Sequence, residues 1–229
     1  MSEYCFAPAS PASVPVSGSA ARFPLRRIFC IGRNYADHAR EMGATVDRGR
    51  PVFFCKPADA VVVDGADPAY PPATANLQHE VEMTVALQDG GRDIPAEAAE
   101  ALVFGYGVGL DLTRRDLQAQ AKAGGLPWDT AKAFDQSAPL SPLRPVADCG
   151  HPRRARLTLA VGGALRQDAD IAAMIWSVPE IIAALSTLFE LRAGDLIFTG
   201  TPAGVGPLRR GDRFEAELHG IARLAGRIA

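Results

Sequence analysis

The chain has 229 residues, of which 48% are hydrophobic and 22% are charged, and its formal net charge is −2. This length allows one domain with a substantial core. The balanced charge provides no basic surface for nucleic acid. No apolar run approaches the roughly 20 residues that a membrane span requires, so the sequence predicts neither nucleic acid nor membrane as a partner.

The first residues differ in composition from the rest. Residues 1–24 are rich in Pro, Ala and Ser, and they lack the basic start and the continuous apolar stretch of a signal peptide. We expect a loosely ordered arm with a short strand near Val14 and Val16. A single domain is expected over residues 25–229.

The four cysteines form no Cys-x-x-Cys pair. Two of them, Cys30 and Cys55, lie inside apolar strand-like runs. This pattern favours buried free thiols in a reducing cytosol, so the expected location is cytoplasmic.

Short strand-like runs dominate the sequence, and Pro or Gly stands at nearly every junction. Because strands and helices do not alternate regularly, a doubly wound parallel sheet is not expected. A mixed α+β, mainly β architecture with peripheral helices fits better. The predicted strands are 27–31, 51–55, 60–63, 79–88, 103–111, 155–161 and 195–199, with one or two more near the C-terminus. The predicted helices are 34–42, 95–101, 112–123 and 178–189.

The stretch IFCIGRNYADHAREMG predicts a short helix after a strand, with Asn34 as its N-cap and Gly43 after its end. His38 and Glu41 are three residues apart and share a helix face. A neighbouring carboxylate fixes the imidazole tautomer and favours its charged form, which predicts a pKa somewhat above about 6.5. On spacing alone, a surface ion pair on an exposed helix is the more common arrangement.

The segment HEVEMTVAL, residues 79–87, places two glutamates two residues apart in an otherwise apolar run. Alternation predicts a strand with Val81 and Met83 on one face and Glu80 and Glu82 on the other. Carboxylates this close repel each other, and burial raises the cost. Their face is therefore expected either to contact water or to hold a positive group.

The stretch VFGYGVGLDLTRRDLQAQ alternates glycines with large apolar residues. Gly105, Gly107 and Gly109 share one strand face, and Asp111 ends the row. Glycines in a strand indicate close approach of another backbone or of a ligand, or they make room for bulky side chains of a neighbouring strand. The sequence leaves these alternatives open.

Three carboxylates from two predicted strands, Glu80, Glu82 and Asp111, suit a hard divalent ion. Oxygen ligands favour Mg²⁺, Mn²⁺ or Ca²⁺ over zinc. Arg115, Gln118 and Lys132 follow Asp111 in the sequence. Two cations and an amide near an acidic cluster could hold an anionic substrate. The later stretch GTPAGVG lacks the lysine of a P-loop, and it is either a simple turn or a loop whose N–H groups and Thr201 face a ligand.

Six segments occur in the order found in the fumarylacetoacetate hydrolase family: IGRNYADHAREMG, FFCKP, HEVEM, GYGVGLDLTRRDLQ, KAFDQSAPLSP and DLIFTGTPAGVG. The chain resembles that family over residues 25–229. Its insert AKAGGLPWDTAKAFDQSAP most resembles the fumarylpyruvate hydrolase branch. The resemblance implies a mixed β-sandwich roll with peripheral helices, and a homodimer.

The resemblance also implies roles for particular side chains. Glu80, Glu82 and Asp111 match the ligands of one Mg²⁺ or Mn²⁺ ion per subunit. The implied catalytic residues are His38 and Glu41, on a lid helix, together with Lys132. The implied substrate-binding residues are Arg33, Arg115, Gln118, Lys132 and Thr201. Gln78 stands where many relatives have a second histidine.

The implied reaction is metal-dependent hydrolysis of the C–C bond of a small 3-acylpyruvate. Fumarylpyruvate would give fumarate and pyruvate, a late step of gentisate-type aromatic catabolism. His38 would take a proton from water, and the ion would stabilise the charge of the pyruvate fragment. Related sites decarboxylate oxaloacetate, cleave simpler acylpyruvates, or isomerise and decarboxylate homoprotocatechuate-pathway intermediates. A binding module with a structural Ca²⁺ is the non-enzyme alternative, against which the candidate base and the cations argue.

Overall fold

The computed structural model describes residues 4–41, 43 and 48–229. Strands outnumber helices in these residues, so the mixed, mainly β prediction is confirmed. The strands are β1 (Ser13–Pro15), β2 (Arg22–Pro24), β3 (Arg27–Gly32), β4 (Val52–Lys56), β5 (Val61–Val62), β6 (Leu77–His79), β7 (Val81–Leu87), β8 (Val103–Leu110), β9 (Thr113–Arg114), β10 (Ala138–Pro139), β11 (Arg144–Pro145), β12 (Arg156–Val161), β13 (Ala164–Asp170), β14 (Asp195–Phe198), β15 (Gly206–Pro207), β16 (Arg213–Leu218) and β17 (Ala222–Arg227). The helices are α1 (Ala36–Glu41), α2 (Arg115–Gly124), α3 (Asp129–Lys132), α4 (Val146–Cys149) and α5 (Val178–Leu188), with 3₁₀ turns at Ala58–Ala60, Ala96–Leu102 and Ile171–Ala173.

The larger sheet has six strands in the order β11-β8-β7-β14-β3-β4. Only β14 and β3 pair in parallel within it, and the other neighbours are antiparallel. The second sheet is antiparallel in the order β13-β12-β16-β17. A three-stranded sheet has the order β15-β6-β9, and its strand β6 ends directly before Glu80 and β7.

The main core lies between the two larger sheets. Alternate residues of the six-stranded sheet, such as Met83 and Val108, form one apolar cluster with Leu159 and Phe214 of the four-stranded sheet. Residues of the opposite face form a second, smaller cluster. Both faces of the larger sheet are therefore buried, which explains why its strands are apolar on both sides.

The N-terminal region is more ordered than the sequence indicates. Strands β1 and β2 pair as a hairpin, and the predicted strand near Val14 is confirmed. Val14 is fully buried and Phe23 packs 5.3 Å from Phe104, measured between ring centroids. Val14, Val16 and Phe23 therefore pack in the second cluster, and this hairpin is not a loose arm.

The glycine row of β8 makes room for protein atoms. A Cβ at Gly107 would lie 2.8 Å from Thr84 Oγ1, and one at Gly109 would lie 2.7 Å from the Phe198 ring. The row therefore lets neighbouring side chains of β7 and β14 approach closely. Of the two alternatives that the sequence left open, close packing within the protein explains these positions.

The predicted elements are present with several differences. The predicted helix 112–123 begins only at Arg115, after strand β9. The predicted strand 79–88 is interrupted at Glu80, and the predicted helix 95–101 is a 3₁₀ turn. The predicted helix 34–42 begins at Ala36, and its last position lies outside the described residues. Asn34 is not an N-cap, because the helix begins two residues later and its side-chain oxygen accepts instead from Trp176 N–H at 2.7 Å.

The cysteines are all free in the structure, but they are not all buried. Cys30 is buried in β3, whereas Cys55 in β4 is exposed, because β4 is the edge strand of its sheet. The prediction that both strand cysteines are buried is therefore wrong for Cys55. In the described part of the chain, no helix has the length and apolar character needed to cross a membrane.

Candidate active site

Three carboxylates converge at the start of β7 and the end of β8. Glu80 lies in the one-residue break before β7, Glu82 is inside β7, and Asp111 directly follows β8. The antiparallel pairing of β7 with β8 brings them together, and Asp111 N–H donates to Glu80 O at 2.8 Å. One carboxylate oxygen of each residue lies within 4.8 Å of the other two. All three side chains are buried.

Three cations accompany this carboxylate cluster. Arg115 Nη2 donates to Glu80 Oε1 at 2.5 Å. Lys132 Nζ bridges two of the carboxylates, at 2.7 Å from Glu80 Oε2 and 2.6 Å from Asp111 Oδ2. Lys56 Nζ lies 2.8 Å from Asp111 Oδ1. Of the two alternatives that the sequence left open for this face, contact with water or a positive group, the structure shows positive groups.

The charges set the pKa values of the cluster. Burial alone would raise the pKa of Glu80, but the charges of Lys132 and Arg115 bring it well below its usual range. Burial lowers the pKa of Lys132, yet Asp111 and Glu80 together raise it above its ordinary value. Lys132 is therefore a permanent cation in this environment.

Glu82 is the member of the cluster that lacks a balancing charge. Its Oε2 accepts a hydrogen bond from Gly200 N–H at 2.6 Å, and no cation forms an ion pair with it among the described residues. Burial, Asp111 and Glu80 raise its pKa well above the usual range. A divalent cation would supply the positive charge that Glu82 lacks, and three oxygen donors suit Mg²⁺ or Mn²⁺. The residues present therefore fit such an ion.

His38 and Glu41 lie beside the cluster on α1. His38 Nδ1 lies 3.3 Å from Glu41 Oε2, and the imidazole is 6% exposed, so the pair is not the surface arrangement that the spacing alone favoured. Gly204 N–H donates to both oxygens of Glu41, at 3.1 and 3.2 Å. The GTPAGVG loop therefore fixes the carboxylate that orients the histidine.

The pKa of His38 differs from the sequence-based expectation. Burial lowers it below its ordinary value, although Glu80 and the hydrogen bond to Glu41 act in the opposite direction. The expected rise above about 6.5 is therefore wrong, because desolvation of the imidazolium outweighs its attraction to the two carboxylates.

A buried glutamine joins the glutamate strand to the GTPAGVG loop. Gln167 Oε1 contacts His79 Nδ1 and accepts from Val81 N–H, both at 3.0 Å. Its amide nitrogen donates to Thr201 Oγ1 at 2.8 Å, and Thr201 in turn donates to Val81 O. Thr201 is therefore held at the pocket by backbone and side-chain partners together.

Arg115 is oriented by two amides as well as by Glu80. Its Nε donates to Gln78 Oε1 at 2.8 Å and its Nη1 donates to Gln118 Oε1 at 2.6 Å. Gln78 thus serves as a partner of Arg115 at the position where many relatives have histidine. All the nitrogens of this guanidinium are engaged by protein groups.

One pocket brings the predicted residues together. Of the sequence-predicted site residues, every one except Glu41 lines it: Arg33, His38, Glu80, Glu82, Asp111, Arg115, Gln118, Lys132 and Thr201. Phe54, Lys122 and Trp128 also line it and were not predicted. Lys122 could have been found from helical periodicity, because it follows Arg115 by seven residues on the same helix face.

A family model described as fumarylacetoacetate (FAA) hydrolase, C-terminal, matches residues 27–229. The chain belongs to the fumarylacetoacetate hydrolase family. The expected family membership and the expected fold are thereby confirmed.

Individual members of the family show how far the similarity extends. The crystal structure of fumarylpyruvate hydrolase from Pseudomonas aeruginosa, in complex with Mn²⁺ and pyruvate, is 51% identical, has a TM-score of 0.97, and each chain covers 99% of the other. The human mitochondrial protein named oxaloacetate tautomerase FAHD1 is 42% identical over 91% of this chain and 97% of its own. The Escherichia coli (strain K12) oxaloacetate tautomerase YcgM is 41% identical over 89% of this chain and 93% of its own.

These relatives narrow the class of enzyme. The three relatives are named as one hydrolase and two tautomerases, and this chain is an enzyme of the same family. The Glu80, Glu82 and Asp111 cluster can hold a divalent ion, as the Mn²⁺ of the similar structure illustrates for the family.

Proposed function

We propose that this protein hydrolyses the C–C bond of a 3-acylpyruvate, with fumarylpyruvate as the substrate that gives fumarate and pyruvate. The observation that carries the proposal is the placement of His38 in one pocket with three converging carboxylates. A base beside a hard-metal site suits attack of water next to an α-keto acid. The similarity to a fumarylpyruvate hydrolase structure supports this substrate.

The carboxylate cluster provides the electrostatic part of the site. Mg²⁺ or Mn²⁺, held by Glu80, Glu82 and Asp111, would act as a Lewis acid toward the oxygens of the keto acid. Three cations already face the three carboxylates. A further divalent charge would leave the site positive, which favours a dianionic substrate.

His38 provides the base. Because the carboxylate of Glu41 can only accept, Nδ1 of His38 carries the proton in this pair and Nε2 is free to accept another. His38 takes a proton from the water that attacks the acyl carbonyl. Its lowered pKa keeps it neutral at physiological pH, as a base must be.

The bond between the acyl carbon and the adjacent methylene carbon then breaks. The electron pair passes to the pyruvate fragment, whose methylene carbon takes up a proton, while the acyl carbon keeps the oxygen of water as a carboxylate. Lys132, with its raised pKa and three acceptors within 2.7 Å, contributes fixed positive charge to this step and not a proton.

Oxaloacetate tautomerisation is the second candidate, because two relatives at 41% and 42% identity are named for it. That reaction moves a proton between carbon and oxygen and needs no attacking water. A homodimer and a place in gentisate-type catabolism are further parts of the proposal.

The experiment compares fumarylpyruvate, acetylpyruvate and oxaloacetate, each with Mg²⁺, with Mn²⁺ and with EDTA. Fumarylpyruvate should give fumarate and pyruvate at the highest kcat/KM, and EDTA should abolish the reaction. A protein that only tautomerises or decarboxylates oxaloacetate would contradict the proposal in favour of the second candidate. Turnover of none of these substrates would favour a binding module.

A further inference from the structure

Two cations of the pocket differ from the others in having no acidic partner in the described part of the chain. Arg115, Lys132 and Lys56 all contact carboxylates of the cluster. Arg33 and Lys122 form no ion pair or side-chain hydrogen bond within residues 4–41, 43 and 48–229, although both line the pocket. Each repels the other, and burial, Arg115 and Arg33 lower the pKa of Lys122. Cations that line one pocket and have no acidic partner among the described residues favour an anionic ligand there.

The position of Lys122 follows from helix geometry. Arg115, Gln118 and Lys122 occupy positions i, i+3 and i+7 of α2, which is one helix face. Lys122 is therefore about 10.5 Å along the helix axis from Arg115, which contacts the carboxylate cluster. This row extends the positive face of the pocket away from the candidate metal site.

Aromatic rings line the pocket between the carboxylate cluster and Lys122. Lys122 Nζ lies 5.2 Å from the Trp128 ring centroid, and the rings of Trp128 and Phe54 lie 5.9 Å apart. These rings offer flat surfaces to a planar, conjugated chain. Arg33 lies in the same pocket with φ at +60°, a conformation that is costly for a residue other than glycine and concentrated at ligand sites.

The adjoining groove is a poorer place for a carboxylate. It shares Phe54, Trp128 and Lys132 with the pocket, but its remaining lining includes Asp129 and the apolar residues Val52 and Leu126. The charge of Asp129 would repel a second carboxylate there. An extended dianion is therefore directed toward Lys122 and Arg33.

We propose that Lys122 and Arg33 form a subsite for the distal carboxylate of an extended dicarboxylate whose keto-acid end lies at the Glu80, Glu82 and Asp111 cluster. This inference rests on the proposed function and deepens it. From the sequence, Arg115, Gln118 and Lys132 were expected to hold this carboxylate. Every side-chain nitrogen of Arg115 and of Lys132 already contacts a protein group at the inner end. The subsite selects by the length of the ligand, because a four-carbon dianion does not reach from the carboxylate cluster to Lys122.

The test uses equilibrium binding, so that it does not depend on turnover. Mn²⁺-loaded protein is titrated calorimetrically with 2-oxopimelate and with 2-oxoheptanoate, two keto acids of equal length of which only the first has a distal carboxylate. Wild-type protein should prefer 2-oxopimelate by about 10- to 100-fold, the range of a charge-assisted contact. Lys122→Met should abolish most of the preference, and Lys122→Arg should retain it. Arg223→Met, which removes an exposed cation on β17, is the matched control and should behave as wild type.

Each outcome separates the inference from the proposed function. Equal affinity of the wild-type protein for both ligands, or a preference that Lys122→Met leaves intact, would overturn the subsite. Fumarylpyruvate turnover is measured on the same preparations. If the Lys122-dependent preference is found without fumarylpyruvate hydrolysis, the subsite stands and the proposed reaction is wrong. If hydrolysis is found without the Lys122-dependent preference, the proposed reaction stands and the subsite is wrong.

Discussion

Lys56 Nζ lies 2.8 Å from Asp111 Oδ1, and both side chains are fully buried. The ammonium also donates to Leu112 O at 3.3 Å and to the carbonyl oxygen of Lys132. The pair is Coulombic, since Asp111 Oδ1 forms no aligned hydrogen bond. Lys56 therefore contacts a candidate metal ligand, Asp111, together with the backbone of Leu112 and of Lys132. This is a physical reason for the lysine in the segment FFCKP.

Lys56→Met should weaken metal binding and destabilise the fold, because Asp111 would keep a buried charge without this partner. Breaking a buried ion pair costs about 3–5 kcal/mol, and loss of a group that orients a metal ligand typically costs 10- to 100-fold in affinity. Mn²⁺ affinity by electron paramagnetic resonance and the unfolding free energy of the metal-free protein measure the two effects. Arg223→Met is the control. Wild-type Mn²⁺ affinity in Lys56→Met would show that Asp111 does not depend on this contact.

Glu82→Gln and Glu80→Gln should have opposite effects on the stability of the metal-free protein. Glu82 is a buried carboxylate with a raised pKa, whereas cations hold the pKa of Glu80 low. A raised pKa means that the folded state resists ionisation, so stability declines as pH rises above the usual value of about 4.5. At pH 7 in EDTA, Glu82→Gln should therefore raise the melting temperature and Glu80→Gln should lower it. Both should bind Mn²⁺ less tightly. A drop in melting temperature for both variants would show that Glu82 is already neutralised.

His38→Ala should reduce fumarylpyruvate hydrolysis by about 10²–10⁴, the usual contribution of a positioned general base. Glu41→Gln should reduce it less, because Glu41 orients the imidazole and takes no proton. Neither residue belongs to the carboxylate cluster, so Mn²⁺ affinity should stay near the wild-type value in both variants. Steady-state kinetics and Mn²⁺ titration check the two parts. Wild-type hydrolysis by His38→Ala would mean that water is activated elsewhere in the pocket.

The pH profile of kcat/KM should rise through an apparent pKa that lies below the ordinary pKa of histidine. Burial lowers the pKa of His38, and a base must be unprotonated, so kcat/KM at saturating Mn²⁺ should rise through an apparent pKa below about 6.5 and then become flat. Glu41→Gln removes a group that raises this pKa, so the rise should move to still lower pH. An apparent pKa above 6.5, or a rise that moves to higher pH in Glu41→Gln, would assign the titration to another group.

Local patterns were sufficient to locate the carboxylate cluster. Alternation in HEVEMTVAL and in the glycine row predicts two strands whose charged positions face one way, and β7 and β8 pair as neighbours. Repulsion between the two glutamates predicts either water or a positive group on their face, and the structure places Lys132 and Arg115 against Glu80. The three carboxylates already suggested a hard divalent ion and the nearby cations an anionic substrate, whereas the role of each residue came from the family resemblance.

Residues whose partners are distant in sequence could not be predicted in this way. Gln167 contacts His79 across 88 residues, and Lys56 contacts the carbonyl oxygen of Lys132 across 76. Strand β13, which carries Gln167, reads ALRQDAD and is an exposed edge strand, so it has no apolar alternation to reveal it. The lowered pKa of His38 was also missed, because sequence shows the neighbouring carboxylate but not the burial that outweighs it.

The most direct measurement is a titration of chelator-treated, metal-free protein with Mn²⁺ while fumarate and pyruvate are quantified from fumarylpyruvate. The account predicts no hydrolysis at the start, a linear rise, and a break at one ion per chain. Glu82→Gln, which removes one of the three carboxylates, should require far more Mn²⁺. Full hydrolysis in excess EDTA, or a Glu82→Gln curve that coincides with the wild-type curve, would contradict the claim that this cluster holds the ion required for C–C bond cleavage.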